Sequence, residues 1–164
     1  MPLAEEHLDG VAAMLDDRDS LRFTRVPEPV TADFPRQWLE RYQEGRRDGT
    51  REAFAAVDAD GSFVGLALAP VIDREGREVE LGYIVAPAAR GRGAATRILA
   101  LLTRWAFDEL RALRIALIID VANPASERVA ERCGYVREGV MRSVHLKDDV
   151  RVDAALWSRL ASDA

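Results

Sequence analysis

Residues 82–95, GYIVAPAARGRGAA, pass from a β-branched apolar run through a proline into a glycine and arginine cluster, and then into alanines. The run closes a segment, REVELGYIV, whose pattern predicts a strand. The alanines open GAATRILALLTRWAFDEL, whose apolar residues Ile98, Leu101, Leu102, Trp105 and Phe107 predict a long helix with those side chains largely buried. A strand that delivers its C-terminal end into a glycine turn and a helix start leaves several backbone N–H groups without helical acceptors, all pointing one way. Gly91 and Gly93 let the backbone approach an anion, Ala94 and Ala95 keep the first helical turn thin, and Arg90 and Arg92 bring positive charge. The same residues also suit a flexible surface turn with solvated arginines, and spacing alone leaves both readings open.

Two familiar phosphate patterns fail on inspection. A P-loop follows its glycines with lysine and a hydroxyl residue, and neither stands here. A dinucleotide fold needs G-x-G-x-x-G and an acidic residue after the next strand. Gly91-Arg92-Gly93 supplies part of that pattern and Asp120 follows the next apolar run, but the rest of the βαβαβ series is lacking.

The remaining segments predict a mixed sheet with helices, an α+β or α/β fold. EEHLDGVAAMLDD, with Leu8, Val11, Ala12 and Leu15 at helical spacing, is a short amphipathic helix, and a loop marked by VPEPV follows. A second helix starts near residue 33, with Asp33 as N-cap, Pro35 in its first turn and Trp38, Leu39 and Tyr42 on one face, and ends at Gly45 or soon after. EAFAAVDADGSFVGLALAPV is a hairpin turning at Asp60-Gly61. LRIALIIDV is a buried central strand, and NPASERVAERCG is a helix with Asn123 at its N-cap, Pro124 at its first position and Gly134 just past its end. YVREGVMRSVHL and VRVDAALWSRL form two last strands turning at KDD. With 164 residues and no linker or repeat, residues 1–164 are expected to form a single domain.

Composition removes several function classes. Cys133 is the only cysteine, and His7 and His145 have no ligand-spaced partners, so neither a disulfide nor a metal site is expected. The net charge of -5 weighs against a dedicated nucleic-acid surface. No apolar run approaches the roughly 20 residues of a membrane span. The N-terminus MPLAEEHLDG lacks the features of an export signal, so a cytoplasmic location is expected.

Two motifs carry a family resemblance. RGRGAA fits the R/Q-x-x-G-x-G/A signature of the GNAT acyltransferase superfamily, with Arg90, Gly93 and Ala95 at its defined positions. NPASERVAERCGYVREG resembles the N-P-x-S-x-x-x-A-E-x-x-G-[FY]-x-x-E-G block of the RimJ/RimL-like N-acetyltransferase branch, and Asp153 matches an aspartate of that branch's last strand. The likeness extends from about residue 20 to 160. It implies an α/β/α fold whose central, mostly antiparallel twisted sheet of six to seven strands splays in the middle, flanked by about four helices.

The resemblance further implies acetyl-CoA as co-substrate, no metal, and direct transfer of an acetyl group to a primary amine in a ternary complex. The loop Arg90, Gly91, Arg92, Gly93, Ala94 and Ala95 would hold the pyrophosphate. Tyr83, Ile84 and Val85 would lie along the pantetheine, and Asn123 would meet it with its side-chain amide, although N-capping alone also explains Asn123. An attacking ammonium must lose a proton, and Glu80 is the candidate base; Glu78 shares its face, and either could be a surface charge. The N–H near Val85 would receive the developing oxyanion. Many relatives place an acidic tyrosine where this chain has Ala130. Ser126 is therefore the candidate donor to the departing thiolate, with backbone capping as its plainer role.

Other residues have mundane readings beside functional ones. Cys133 is read as a small buried hydrophobe and Tyr135 as packing. His145 either faces the acceptor cleft or sits exposed on its strand, and Phe23, Trp38 and Tyr42 either line the acceptor side or fill core. Only Met1 to Ala4 precede the first helix, so the edge strand with which relatives begin is short or absent, leaving an edge open to a partner. Expected partners are an amine acceptor, either a small molecule or a protein N-terminus, and a second copy in a homodimer; no nucleic acid and no membrane are expected. The alternative to an enzyme is a domain of this fold that binds acyl-CoA as a sensor without turnover.

Overall fold

The computed structural model describes residues 1–163. Its centre is a six-stranded sheet in the order β1-β2-β3-β4-β6-β5. The strands are β1 (Glu52–Val57), β2 (Phe63–Asp73), β3 (Glu78–Val85), β4 (Arg114–Asp120), β5 (Val136–Lys147) and β6 (Val150–Leu160). Every neighbouring pair is antiparallel except β3 and β4, which are joined by a helix crossover and run parallel. Five helices cover the sheet: α1 (Leu8–Leu15), α2 (Arg18–Leu21), α3 (Phe34–Asp48), α4 (Ala94–Asp108) and α5 (Pro124–Arg132).

Strand alternation divides the core between two faces. Leu66, Leu68 and Ile84 point toward α1 and α3 and pack with Val11, Met14, Leu15, Trp38, Leu39 and Tyr42. Ala67, Ala69, Val79, Leu81, Ile115, Leu117 and Ile119 point the other way, against Ile98, Leu99, Leu102 and Ala106 of α4 and Ala130 of α5. The result is an α/β/α sandwich in which adjacent residues of one strand serve opposite layers.

Several local expectations change. In α4, Ile98 and Leu102 are buried and Trp105 and Phe107 half-buried, but Leu101 is 57% exposed. The helix buries the row through Ile98, Leu99, Leu102, Thr103 and Ala106, and Leu101 lies to one side of that row. Helix α3 runs past Gly45 to Asp48 and ends on Gly49, whose left-handed φ of 71° suits a C-terminal glycine. Gly45 stays inside the helix because its missing Cβ admits the Arg51 side chain. Asp33 stands at the start of α3, yet its side chain makes no capping bond. The short helix α2 was not foreseen; Asp17 caps it by accepting the Ser20 N–H at 2.8 Å.

At the N-terminus, Leu3 N–H donates to Ala53 O and Ala55 N–H to Met1 O, both at 2.9 Å. The first edge strand, expected to be short or absent, is a single bridge between Pro2 and Phe54, and these bonds cover part of the β1 edge.

Candidate active site

The strands β3 and β4 pair only through Glu78–Arg114, Val79–Ile115 and Glu80–Ala116. Beyond Glu80 they part, and the sheet opens between Leu81–Val85 on one side and Leu117–Asp120 on the other. Ala86 N–H donates to Val64 O at 2.9 Å, so the alternate residues Ile84 and Ala86 spend their backbone groups on β2. By the same alternation the N–H and C=O groups of Tyr83 and Val85 face the gap. An extended, amide-bearing ligand can pair there as an extra strand would.

The gap leads to the turn between β3 and α4. Gly91 and Gly93 have φ of 75° and 74°, left-handed values that give the turn its curl. Among the described residues, the N–H groups of Gly91, Arg92, Gly93, Ala94, Ala95 and Thr96 donate to no protein acceptor, and the helical ladder begins with Arg97 N–H to Gly93 O at 3.1 Å. A Cβ built on Gly91 would meet nothing within 4 Å, so the turn is uncovered there. Unpaired donors at a helix start, in an open curl, fit a pyrophosphate.

The two arginines of this turn are placed differently from the expectation that their charge lines the cradle. Arg90 Nη2 donates to Asp17 Oδ2 at 2.6 Å and to Ser20 Oγ at 2.5 Å, tying the turn to α2 and holding the Asp17 carboxyl below its ordinary pKa. Arg92 Nη2 donates to Ala88 O at 2.8 Å, bracing the turn from within. In this state the cradle's attraction for an anion comes from the backbone, while the arginine side chains hold its shape.

The gap has two chemically distinct mouths, again because of strand alternation. On the α4/α5 side, Tyr83 and Ser126 meet, Oη to Oγ at 2.9 Å. Asn123 caps α5, its Oδ1 accepting the Ser126 N–H at 3.1 Å, which fixes where the serine hydroxyl sits. Burial raises the Tyr83 phenol above its usual pKa, so it stays protonated as a hydrogen-bond partner. The sequence reading names both residues, Ser126 as donor and Tyr83 along the pantetheine, but not the bond between their hydroxyls.

On the opposite side, Glu80 lies 17% exposed in an ion pair with Arg25, Nη2 to Oε1 at 2.7 Å. A shallow cleft of about 50 Å³ beside it is lined by Arg22, Phe23, Thr24, Arg25, Ile118, Asp120, His145, Leu146, Lys147 and Val152. Thus His145, from the far edge of the sheet, and Phe23 do face this cleft, whereas Trp38 and Tyr42 are core. A bulge brings the histidine in: the three residues of β5 between Met141 and His145 stand opposite the single residue Asp153 of β6. Asp153 pins that bulge by accepting the Ser143 N–H at 2.7 Å, with Ser143 at a left-handed φ of 52°. Burial first, then the Arg25 charge, lowers the His145 pKa from 6.5, so the imidazole is neutral near pH 7. Glu78, although on the Glu80 face, is held by Arg114 Nε at 3.1 Å.

Cys133 is buried and its thiol pKa is pushed up by that burial, as befits a packing residue. Tyr135 is buried and bonded to Thr103 Oγ1 at 2.7 Å. Among the described residues no cluster of three potential metal ligands exists, and no helix is long and apolar enough to cross a membrane. A larger apolar groove of about 390 Å³, lined by Phe54, Val64, Leu101 and Trp105 among others, lies between β1 and α4 and reaches Ala94 and Arg97 at the start of that helix.

A mixed sheet parted beside a glycine-rich helix start defines a fold built for an extended ligand with an anionic head. The family described as the acetyltransferase (GNAT) domain matches residues 1–136, and the chain belongs to it. YdaF of Bacillus subtilis, provisionally named a ribosomal N-acetyltransferase, is 33% identical over 101 residues, 62% of this chain and 55% of that protein. A spermidine N(1)-acetyltransferase of Vibrio cholerae is 30% identical over 100 residues, 61% of this chain and 58% of that protein. The chain therefore matches little more than half the length of either relative. A crystal structure of a Vibrio cholerae spermidine N-acetyltransferase in complex with CoA and spermine superposes with a TM-score of 0.87 at 23% identity, covering 99% of this chain and 95% of that one, which establishes the common fold.

Proposed function

We propose that this chain is an acetyl-CoA-dependent N-acetyltransferase that acetylates a primary amine directly in a ternary complex. The observation that carries this reading is the parting of β3 from β4 after Glu80, which leaves backbone groups of Tyr83 and Val85 unpaired beside the open N–H curl of residues 91–96. The backbone at Tyr83, Ile84 and Val85 is read as the pantetheine track, and Arg90, Gly91, Arg92, Gly93, Ala94 and Ala95 as the pyrophosphate cradle. Asn123, as the cap of α5, orients the site's far wall. Bound acetyl-CoA supplies the thioester that the amine attacks.

The two mouths divide the work. Glu80, joined to the cleft-lining Arg25, receives the acceptor's ammonium and takes its proton, with neutral His145 of that cleft as a second acceptor. The Val85 N–H donates to the acetyl oxygen as charge develops on it. On the other mouth the Ser126 hydroxyl, oriented by Tyr83, donates toward the sulfur. A thiolate is a good leaving group, its free pKa being near 8.5, so this help is modest and positioning supplies much of the rate.

The block from Asn123 to Gly139 supports placement in the RimJ/RimL-like branch, and we read the protein as cytoplasmic and its chain as one domain. The deciding experiment measures acetyl-CoA consumption over a panel of primary amines, with thermal-shift titration of CoA. Stabilisation by CoA with amine-dependent thiol release is expected. Binding without turnover on any amine would instead favour a non-catalytic acyl-CoA sensor, and no stabilisation by CoA or acetyl-CoA would refute the assignment.

A further inference from the structure

We propose that the acceptor is a free α-amino acid with a small uncharged side chain, its ammonium seated on Glu80 and its carboxylate gripped by Arg25. This deepens the acetyltransferase reading and rests on it. The ion pair of Arg25 and Glu80 is half-used: only Nη2 and Oε1 are joined, while Arg25 Nη1 and Nε and Glu80 Oε2 have no partner among the described residues. Each partner thus keeps an unoccupied edge: Arg25 lines the cleft, and Glu80 stands beside that lining, joined to Arg25. An α-amino acid carries an ammonium and a carboxylate on adjacent atoms, and laid against this pair it completes a square of four alternating charges. Arg25 is suited to the carboxylate because a guanidinium offers five donors in a planar fork.

The walls argue against a polyamine, the acceptor named for the spermidine enzymes to which this chain is similar. A second ammonium beyond the reacting one would meet Arg22, Arg25 and Lys147 in the cleft lining. Asp120 is the one carboxylate in that lining, set against two arginines and a lysine, and Glu28 nearby is paired with Lys147 at 3.0 Å. A peptide N-terminus fits less well because its α-carboxylate is an amide and offers Arg25 no charge. Phe23, Ile118 and Val152 give the cleft an apolar floor, and at about 50 Å³ it leaves little depth for a long side chain.

The reaction balances without further reagents. The α-nitrogen forms an amide bond to the acetyl carbon as the carbon–sulfur bond breaks. Of the two protons the ammonium gives up, one goes to solvent through Glu80 and the other ends on the sulfur, giving an N-acetylamino acid and free CoA.

The test compares kcat/KM for L-alanine, L-valine and L-serine with their carboxamides and decarboxylated amines, and with spermidine, in the wild type and in Arg25→Gln and Arg25→Lys. The wild type is expected to prefer the best amino acid over its carboxamide and decarboxylated amine by at least about tenfold, the scale of a charge-assisted hydrogen bond. In Arg25→Gln that ratio should collapse toward one, with the loss mainly in KM, while Arg25→Lys keeps part of it. A ratio near one in the wild type, a preference for the carboxamide, or a preference for spermidine overturns the amino-acid proposal and leaves the acetyltransferase reading standing. If CoA stabilises the protein but none of these amines turns over, the proposal falls as well. Failure to bind CoA would be the separate failure of the underlying function.

Discussion

The cradle at Gly93 can be tested by a pair of substitutions that separate strain from charge. Gly93 has a φ of 74°, so Ala and Asp there both incur the left-handed penalty, about 1–2 kcal/mol. A Cβ at this position has Arg97 Nη1 at 3.7 Å as its only near neighbour, so neither side chain collides with backbone. The two variants should therefore lose similar stability, a fall in Tm of roughly 2–8 °C for a chain of this size. They differ in one respect: Asp places a carboxylate among the N–H groups of residues 91–96, where the pyrophosphate would sit. Two unit charges 4 Å apart at an effective dielectric of 20 repel by about 4 kcal/mol, and more exposed geometries by less. Gly93→Asp is thus expected to weaken CoA binding by roughly 100-fold or more relative to Gly93→Ala, measured by isothermal titration at matched ionic strength. Acetylation from S-acetylpantetheine, which lacks the pyrophosphate, should differ little between the two variants. If Gly93→Asp binds CoA within threefold of Gly93→Ala, the segment is a surface turn and the anion argument is wrong.

Further outcomes follow from the same geometry. Ser126→Ala should lower kcat by about tenfold to a hundredfold, toward the lower end of acid catalysis, and cost about 1 kcal/mol of stability because the Tyr83 hydroxyl loses its partner; an unchanged kcat would remove Ser126 from the reaction. The His145 pKa is lowered on folding, so the unfolded chain binds the proton more readily and stability falls as pH drops below 6.5. Chemical denaturation of His145→Gln across pH 5–8 should show that slope reduced, and an identical slope would contradict the burial of the imidazole. Arg25, Glu80, Asp120 and Arg151 act on that histidine, so Arg25→Gln should raise its pKa in a histidine-resolved NMR titration. Glu138, bonded to Arg114 and Ser158, has its pKa lowered from 4.5 to about 2, so its contribution is present above pH 4.5 and lost as pH falls toward about 2. Its side chain is 37% exposed, so solvent screening keeps the effect of Glu138→Gln at neutral pH below about 1 kcal/mol.

Much of this arrangement was legible in local sequence because its causes are local. Apolar periodicity located every strand, and Asn123, Pro124 and Gly134 bounded α5, since capping and backbone restriction act within a few residues. Alternation put Glu78 and Glu80 on one face, but only their partners distant in sequence, Arg114 for Glu78 and the cleft-lining Arg25 for Glu80, tell the two carboxylates apart. Leu101 shows the limit of periodicity: a helical pattern gives the apolar stripe, while the edge of the facing sheet decides which of its margins is covered. The helix α2 had a signal in Asp17 and Ser20, three residues apart, but so short a turn survives through the Arg90 bond that reaches it from the cradle.

The sequence by itself determined the kinds of element, their order, and the glycine curl with its row of N–H groups, because backbone conformation and donor supply are properties of neighbouring residues. Tertiary structure alone decided where the sheet parts, which side chains stand at each mouth, and that Arg90 and Arg92 brace the cradle while Arg25 stands against Glu80. It likewise brought Tyr83 to Ser126 and, through the bulge pinned by Asp153, His145 to the cleft. These are meetings of residues tens of positions apart, and their geometry follows from strand register and layer packing that no local pattern encodes.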